Sequence, residues 1–237
     1  VDLEKITKEV RNVTPDCMII VDGIQHSSHG AIDVQKYDIN GYVVSPYKMF
    51  SRHGYGVAWA SDRLCALSKE QLVDGPSQNW ELGTRDAGSY ATFSDVVDYL
   101  DWLGSNFTNS ESTRERLEAS SVAIKSHEQE LVNLVLNGSE NLVGLINNKQ
   151  IEIIGDLAST SREGVVSFYL KNKPSILIVE KLRQRKIRVH IRKDDHYCGN
   201  ILRPLNQKDC IRFSICHYNS KVEVIEFLKA INEISAY

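Results

Sequence analysis

An acid and an amine in the first fifty residues could work on one ligand. Asp22 closes the apolar run Cys17 to Val21, and Lys48 follows a second run, Gly41 to Val44, after the turn signal Ser45-Pro46. If these runs are neighbouring parallel strands, both side chains reach the crevice beyond the strands' carboxyl ends, where open α/β sheets bind ligands. There an amine can form an imine with an aldehyde, and a carboxylate can keep a ring nitrogen protonated. Taken alone, such a pair is more often a turn-capping acid and a surface lysine. Arg212, in Ile211-Arg212-Phe213-Ser214, offers a planar fork that matches a carboxylate with two hydrogen bonds, although a lone strand arginine is as readily half of a surface ion pair. Cys198, in His196-Tyr197-Cys198, is a candidate thiol nucleophile, and a small packing residue fits that position about as well.

The elements that must position these groups follow from periodicity. Leu3, Ile6 and Val10 recur at helical spacing before Thr14-Pro15 breaks the pattern. The runs ending at Asp22 and Val44 read as strands, and the segment between them, which contains Ile32 to Tyr37, is long enough for the crossover that parallel pairing requires. A third run, Gly56 to Ala60, follows too closely for another crossover and is expected to be antiparallel, which makes the sheet mixed. Phe93, Val96, Val97, Leu100 and Leu103 predict a helix over 92–103 with Gly104 as its cap. A longer helix is expected over 112–136. Beyond it, strands at 151–154, 165–170 and 187–191 alternate with helices at 175–183 and 222–234, the pattern of a smaller α/β unit.

Composition excludes several classes of function. The 237 residues are 42% hydrophobic and 25% charged, with a formal net charge of -3. That is ordinary for a globular protein. Lys and Arg are interspersed with acids, and the basic run Lys181 to Lys193 reads as a solvated face, so no nucleic-acid partner is expected. No apolar stretch approaches the roughly 20 residues of a membrane-spanning helix, and no secretory leader is visible, so a soluble, cytoplasmic protein is expected. The five cysteines (Cys17, Cys65, Cys198, Cys210 and Cys216) lack the paired spacings of metal sites, which predicts reduced thiols and no metal. All but Cys198 lie in apolar settings and are expected to be buried packing residues.

The stretches Val21-Asp22-Gly23-Ile24-Gln25-His26, His29-Gly30, Ser45-Pro46-Tyr47-Lys48 and Gly54-Tyr55-Gly56-Val57 resemble the cofactor-lysine region of class V aminotransferases and cysteine desulfurases. The resemblance implies an α/β chain of the aspartate-aminotransferase-like fold (fold type I), with pyridoxal 5'-phosphate as cofactor. Residues 1–120 would be the C-terminal part of the large cofactor-binding domain, and 121–237 a small C-terminal domain. Lys48 would carry the imine and shuttle protons, and Asp22 would pair with the pyridinium nitrogen. Gln25 would hydrogen-bond the ring oxygen, and Ser45 would help hold the phosphate. Tyr47 departs from the pattern, since many relatives have His before the lysine. Trp80-Glu81-Leu82-Gly83-Thr84-Arg85-Asp86 is similar to the segment with which one subunit of these dimers reaches its neighbour's phosphate, which implies a homodimer and a cofactor contact from Thr84.

Arg212, with His217-Tyr218-Asn219-Ser220 behind it, is similar to the motif that clamps the α-carboxylate of an amino-acid substrate. Cys198 lies close to where cysteine desulfurases place the thiol that receives sulfur, although Gly199 to Leu205 departs from their usual continuation. His26, His29 and His217 are assigned no catalytic role. The expected function is therefore that of an enzyme acting on an amino acid, by desulfuration or transamination, with epimerisation or C–S lysis as alternatives. The resemblance matches the second half of a typical family member. The loop that grips the phosphate and the side chain that stacks on the ring would lie upstream of Val1. A separate N-terminal chain, a truncated sequence and a non-catalytic remnant are each consistent with that.

Overall fold

The computed structural model describes residues 2–76, 79–157 and 162–236. The chain divides into two compact units, Val1–Ala123 and Ile124–Tyr237.

The first unit opens with α1 (Leu3–Val13), capped by the Asp2 carboxylate, which accepts a hydrogen bond from the Lys5 amide. Three short strands follow, β1 (Ile20–Asp22), β2 (Gly41–Val44) and β3 (Val57–Ala60). β1 and β2 are parallel, with Asp22 opposite Val43, and β3 is antiparallel to β2. The sheet is thus mixed, as the loop lengths predict. β1 is shorter than its apolar run because the backbone ahead of it is otherwise engaged. The Arg11 guanidinium donates to the carbonyls of Pro15 and Cys17, pairs with Asp38 at 2.6 Å, and reaches the Asn40 amide oxygen at 3.1 Å. That same oxygen accepts the Ile19 amide, so the ladder begins only at Ile20.

No long helix fills the connection between β1 and β2. Its Ile32, Val34 and Tyr37 instead pack on a small core of Ile39, Tyr42, Val44, Met49 and Val96. A short helix, α2 (Asp62–Cys65), and then α3 (Ala87–Gly104) complete the unit, with Phe93 and Leu100 of α3 against the same core. Gly104 is the last residue of α3 rather than a cap beyond it. A Cβ there would overlap the backbone of Arg116, so glycine permits a close approach of chain segments.

The helix α4 (Thr113–Asn137) runs from the first unit into the second, where a small hairpin of β4 (Gly138–Ser139) and β5 (Leu142–Val143) follows. The second unit is built on β6 (Ile151–Ile154), β7 (Val165–Leu170), β8 (His190–Lys193) and β9 (Asp209–Ser214), antiparallel throughout in the order β6-β7-β9-β8. Alternation along β7 buries Val166, Phe168 and Leu170, and along β9 buries Ile211 and Phe213. Those side chains pack with α5 (Ser175–Gln184) and α7 (Lys221–Ala236), whose Val224, Phe227, Leu228 and Ile231 recur at helical spacing. A four-residue helix, α6 (Gly199–Leu202), lies between β8 and β9.

Candidate active site

Asp22 is the last residue of β1, and Val44 the last of β2. Because the two strands are parallel and adjacent, the turns that follow them emerge side by side. After β1 the Asp22 carboxylate accepts the Ile24 amide at 3.1 Å, the Gly23 amide donates to the Val43 carbonyl at 3.0 Å, and a 3-10 turn runs from His26 to Ser28. Gly23 cannot be replaced without rearrangement, since a Cβ would overlap the Tyr42 ring. After β2, Pro46 starts a second 3-10 turn, Pro46–Met49, in which the Lys48 amide donates to the Ser45 carbonyl at 2.9 Å. It closes at Phe50 in the left-handed conformation (φ 69°).

The two turns meet through their side chains. Lys48 Nζ donates to Gln25 Oε1 at 3.4 Å, and Gln25 Nε2 lies 3.5 Å from Nε2 of the buried His29. The amine past the second strand therefore touches the turn that begins at the acid closing the first. Asp22 is exposed and Lys48 and Ser45 are half-buried. Tyr47 is stacked on His53 with ring centroids 4.3 Å apart.

Thr84 is exposed in the irregular stretch ahead of α3. That stretch is anchored by the ion pair of Arg85 with Glu81 and by Asp86, which caps α3 through the Gly88 amide and pairs with Arg52 at 3.2 Å. The hydrogen bond from the Ser89 hydroxyl, and with it the Arg52 charge, holds the Asp86 carboxyl below the usual carboxylate range.

The remaining predicted site residues lie in the second unit. Arg212 is half-buried in the middle of β9, opposite Ser167 on β7 and His190 on β8. Sequence reading overlooked His190, which is exposed at the start of β8 and whose pKa is lowered by partial burial first and then by the charges of Arg212, Arg188 and Arg192. The signal was available as basic residues at every second position from 188 to 192. Cys198 is half-buried just ahead of α6, and its amide donates to Asp195 Oδ1 at 3.1 Å. Burial, with Cys198 and Asp209 adding to it, pushes the Cys210 thiol up to about 11, so Cys210 stays a neutral packing group. Cys17, Cys65 and Cys216 are half-buried rather than sealed in the core.

Donor chemistry tests whether these residues fit pyridoxal phosphate. An amine, an amide in contact with it, a strand-end carboxylate and a half-buried serine supply the partners that the aldehyde, ring oxygen, ring nitrogen and phosphate require. The residues present fit the group.

Three comparisons bear on this arrangement. The family model described as aminotransferase class-V matches residues 1–227. A cysteine desulfurase of Wigglesworthia glossinidia brevipalpis is 23% identical over 99% of this chain and 54% of its own length. The aminotransferase-like protein FGM3 of Gibberella zeae is 26% identical over 97% of this chain and 54% of its own. The chain spans about half the length of these curated relatives. Among solved structures, the apo cysteine desulfurase of Thermococcus onnurineus NA1 superposes with a TM-score of 0.76 at 19% identity, covering 99% of this chain and 56% of that one. A further neighbour, with a TM-score of 0.64 at 16% identity and covering 98% of this chain and 56% of its own, holds glycine covalently linked to its pyridoxal-phosphate cofactor.

Proposed function

Because the chain belongs to the aminotransferase class-V family, we propose that it carries the lysine-bearing part of a pyridoxal-phosphate site acting on an amino acid. The observation that carries this reading is the Lys48–Gln25 contact at the ends of the parallel strands β1 and β2, three residues past Asp22. Bound pyridoxal phosphate supplies an electron-accepting ring conjugated to the substrate carbon. Asp22 would hold a proton on the ring nitrogen, and the Gln25 amide would donate to the ring oxygen while steadying the amine it already touches. Ser45 would donate to the phosphate. The Lys48 amine would be the base that removes and returns a proton at the substrate α-carbon. Arg212 would hold the α-carboxylate through its planar fork.

A homodimer belongs to the same proposal, with Thr84 reaching the phosphate in a second copy. For cysteine as substrate, the Cys198 thiolate would take the sulfur as a persulfide while the carbon–sulfur bond breaks and alanine leaves. The cysteine desulfurases among the relatives favour that outcome over transamination, epimerisation or C–S lysis.

The test is covalent labelling. Protein incubated with pyridoxal phosphate and reduced with borohydride should carry the cofactor on the peptide containing Lys48, and Lys48→Ala should carry none. Labelling spread over surface lysines, or unchanged in Lys48→Ala, would overturn the assignment. Loss of sulfide release in Cys198→Ser, with labelling retained, would single out desulfuration.

A further inference from the structure

The turn that carries Lys48 is tied to α3 by two links that close into a circuit. The turn is followed by Ser51, whose amide donates to the carbonyl of Pro46, the first residue of the turn, at 3.1 Å. The Ser51 hydroxyl lies 2.7 Å from the Thr92 hydroxyl on α3 and 2.6 Å from the Tyr55 phenol oxygen. Each hydroxyl has a single proton, which fixes the direction of these bonds. Thr92 donates its own to the Ser89 carbonyl at 2.6 Å, so Ser51 must donate to Thr92, and Tyr55 to Ser51. The return path leaves from the same turn of α3. The Ser89 hydroxyl donates to the Asp86 carboxylate at 2.8 Å, and that carboxylate pairs with Arg52, the neighbour of Ser51, at 3.2 Å. Ser89 is buried, and Ser51, Tyr55 and Thr92 are half-buried, whereas Arg52 and Asp86 are exposed. An exposed ion pair contributes little in water, while hydroxyls aligned in a partly buried chain strengthen one another, so the relay is the main arm.

We propose that Ser51 is a positioning residue for Lys48, holding the lysine turn against the first turns of α3 while the amine exchanges partners. The proposal rests on the reading of Lys48 as the cofactor lysine. An amine that moves between partners is useful only if its main chain stays in place, since a misplacement of about 1 Å can cost about a hundredfold in rate. Packing supplies little of that restraint. Of the turn Pro46–Met49, only Pro46 and Met49 are buried, and Met49 belongs to a core cluster of five residues. The relay adds a restraint from the side, and its end on the Ser89 carbonyl anchors it to helix backbone rather than to a mobile side chain. Because Asp86 both closes the circuit and caps α3, the stretch that carries Thr84, two residues ahead of it, is tied to the same point. Ser51 acts through the turn and touches neither cofactor nor substrate.

Amide exchange on the full chain without cofactor gives the first test. The Lys48 amide, which donates to the Ser45 carbonyl, reports on the turn. Ser51→Ala and Thr92→Val should each accelerate its exchange about fivefold, the factor for one neutral hydrogen bond. The double variant should add little beyond either, because both remove the same bond. Tyr55→Phe should do less, since the phenol only feeds the relay from its outer end. Exchange in β7 and β9 should stay unchanged in all of them. The second test is the rate at which pyridoxal phosphate and borohydride label Lys48. That rate should fall about fivefold in Ser51→Ala and recover in Ser51→Thr, which keeps the hydroxyl. Ile39→Val, which loosens the same small core without touching the relay, should leave it unchanged. Unaltered Lys48 exchange in Ser51→Ala, full additivity in the double variant, or equal slowing of labelling by Ile39→Val would each overturn the proposal. Wild-type labelling that misses Lys48 overturns the cofactor reading and the role of Ser51 with it. Specific Lys48 labelling that is equally fast in wild type and Ser51→Ala overturns the role of Ser51 alone.

Discussion

The two units differ in what holds their functional groups. Among the described residues, the second unit buries a cluster of 21 apolar residues between its sheet and helices, and the first buries a cluster of five. Arg212 and His190 project from paired strands whose opposite face is anchored in the larger core, so their spacing is set by the ladder. Asp22, Gln25, Ser45 and Lys48 stand at strand ends and in short turns. Their spacing depends on a few local devices: the Arg11–Asn40 link, the Gly23–Tyr42 approach and the proline that opens the second turn. Arg212, proposed to hold a carboxylate, thus lies on the stiffer scaffold, and Lys48, proposed to exchange partners, lies on the looser one.

That contrast breaks first in the core of the second unit. Phe227 is 1% exposed, stacked on Phe213 at 4.2 Å and edge-on to Phe168 at 6.2 Å. Phe227→Ala should cost about 3–5 kcal/mol. Denaturant unfolding should lose the second unit's transition. A smaller effect is expected in the first unit. Gly23→Ala drives a methyl group into the Tyr42 ring, an overpacking of about 1–3 kcal/mol. Amide exchange over 41–44 should accelerate and Lys48 labelling should fall, while exchange in β7 and β9 stays unchanged. Equal acceleration in both units would show that the two do not hold their sites independently.

How much of this was legible in the sequence follows the same division between ladders and turns. Gly41–Val44, Ile151–Ile154 and Val165–Leu170 have the bounds that their apolar runs predict, and loop lengths alone indicated the parallel and antiparallel pairings of the first sheet. Ile187 and Val189 suggested a strand that in fact starts at His190, because the Ile187 amide closes the end of α5 onto the Leu182 carbonyl. β9 was read for its arginine motif and not as an element, although Cys210, Arg212 and Ser214 alternate with Ile211, Phe213 and Ile215 at period two. The resemblance identified Lys48, Gln25 and Asp22 as one group, yet the contact of the first two depends on turn geometry that periodicity does not encode. The basic face around Arg212 was hidden for a different reason. Arg188, His190 and Arg192 read as a solvated run until the register pairs them with β9.

Acid titration gives the smallest effect and the sharpest comparison. Asp86 in the first unit and His190 in the second both have lowered pKa values, for opposite reasons. Asp86 is held down by the Ser89 hydroxyl and Arg52, which favour its charged form. His190, exposed at the start of its strand, is held down by partial burial and by Arg212, Arg188 and Arg192, which disfavour its charged form. Each contributes stability that is present above its unfolded value and lost as pH falls through its folded value. For His190 that loss begins near pH 6.5, and for Asp86 only below about pH 3.9. Acidification to about pH 5 should therefore weaken the second unit while leaving the α3 cap of the first intact. Arg212→Ala should move the His190 titration upward without restoring it fully, since burial is the larger cause. The shift is read from the His190 ring resonances across a pH series. An unmoved titration in Arg212→Ala would mean that the arginine does not act on the histidine opposite it.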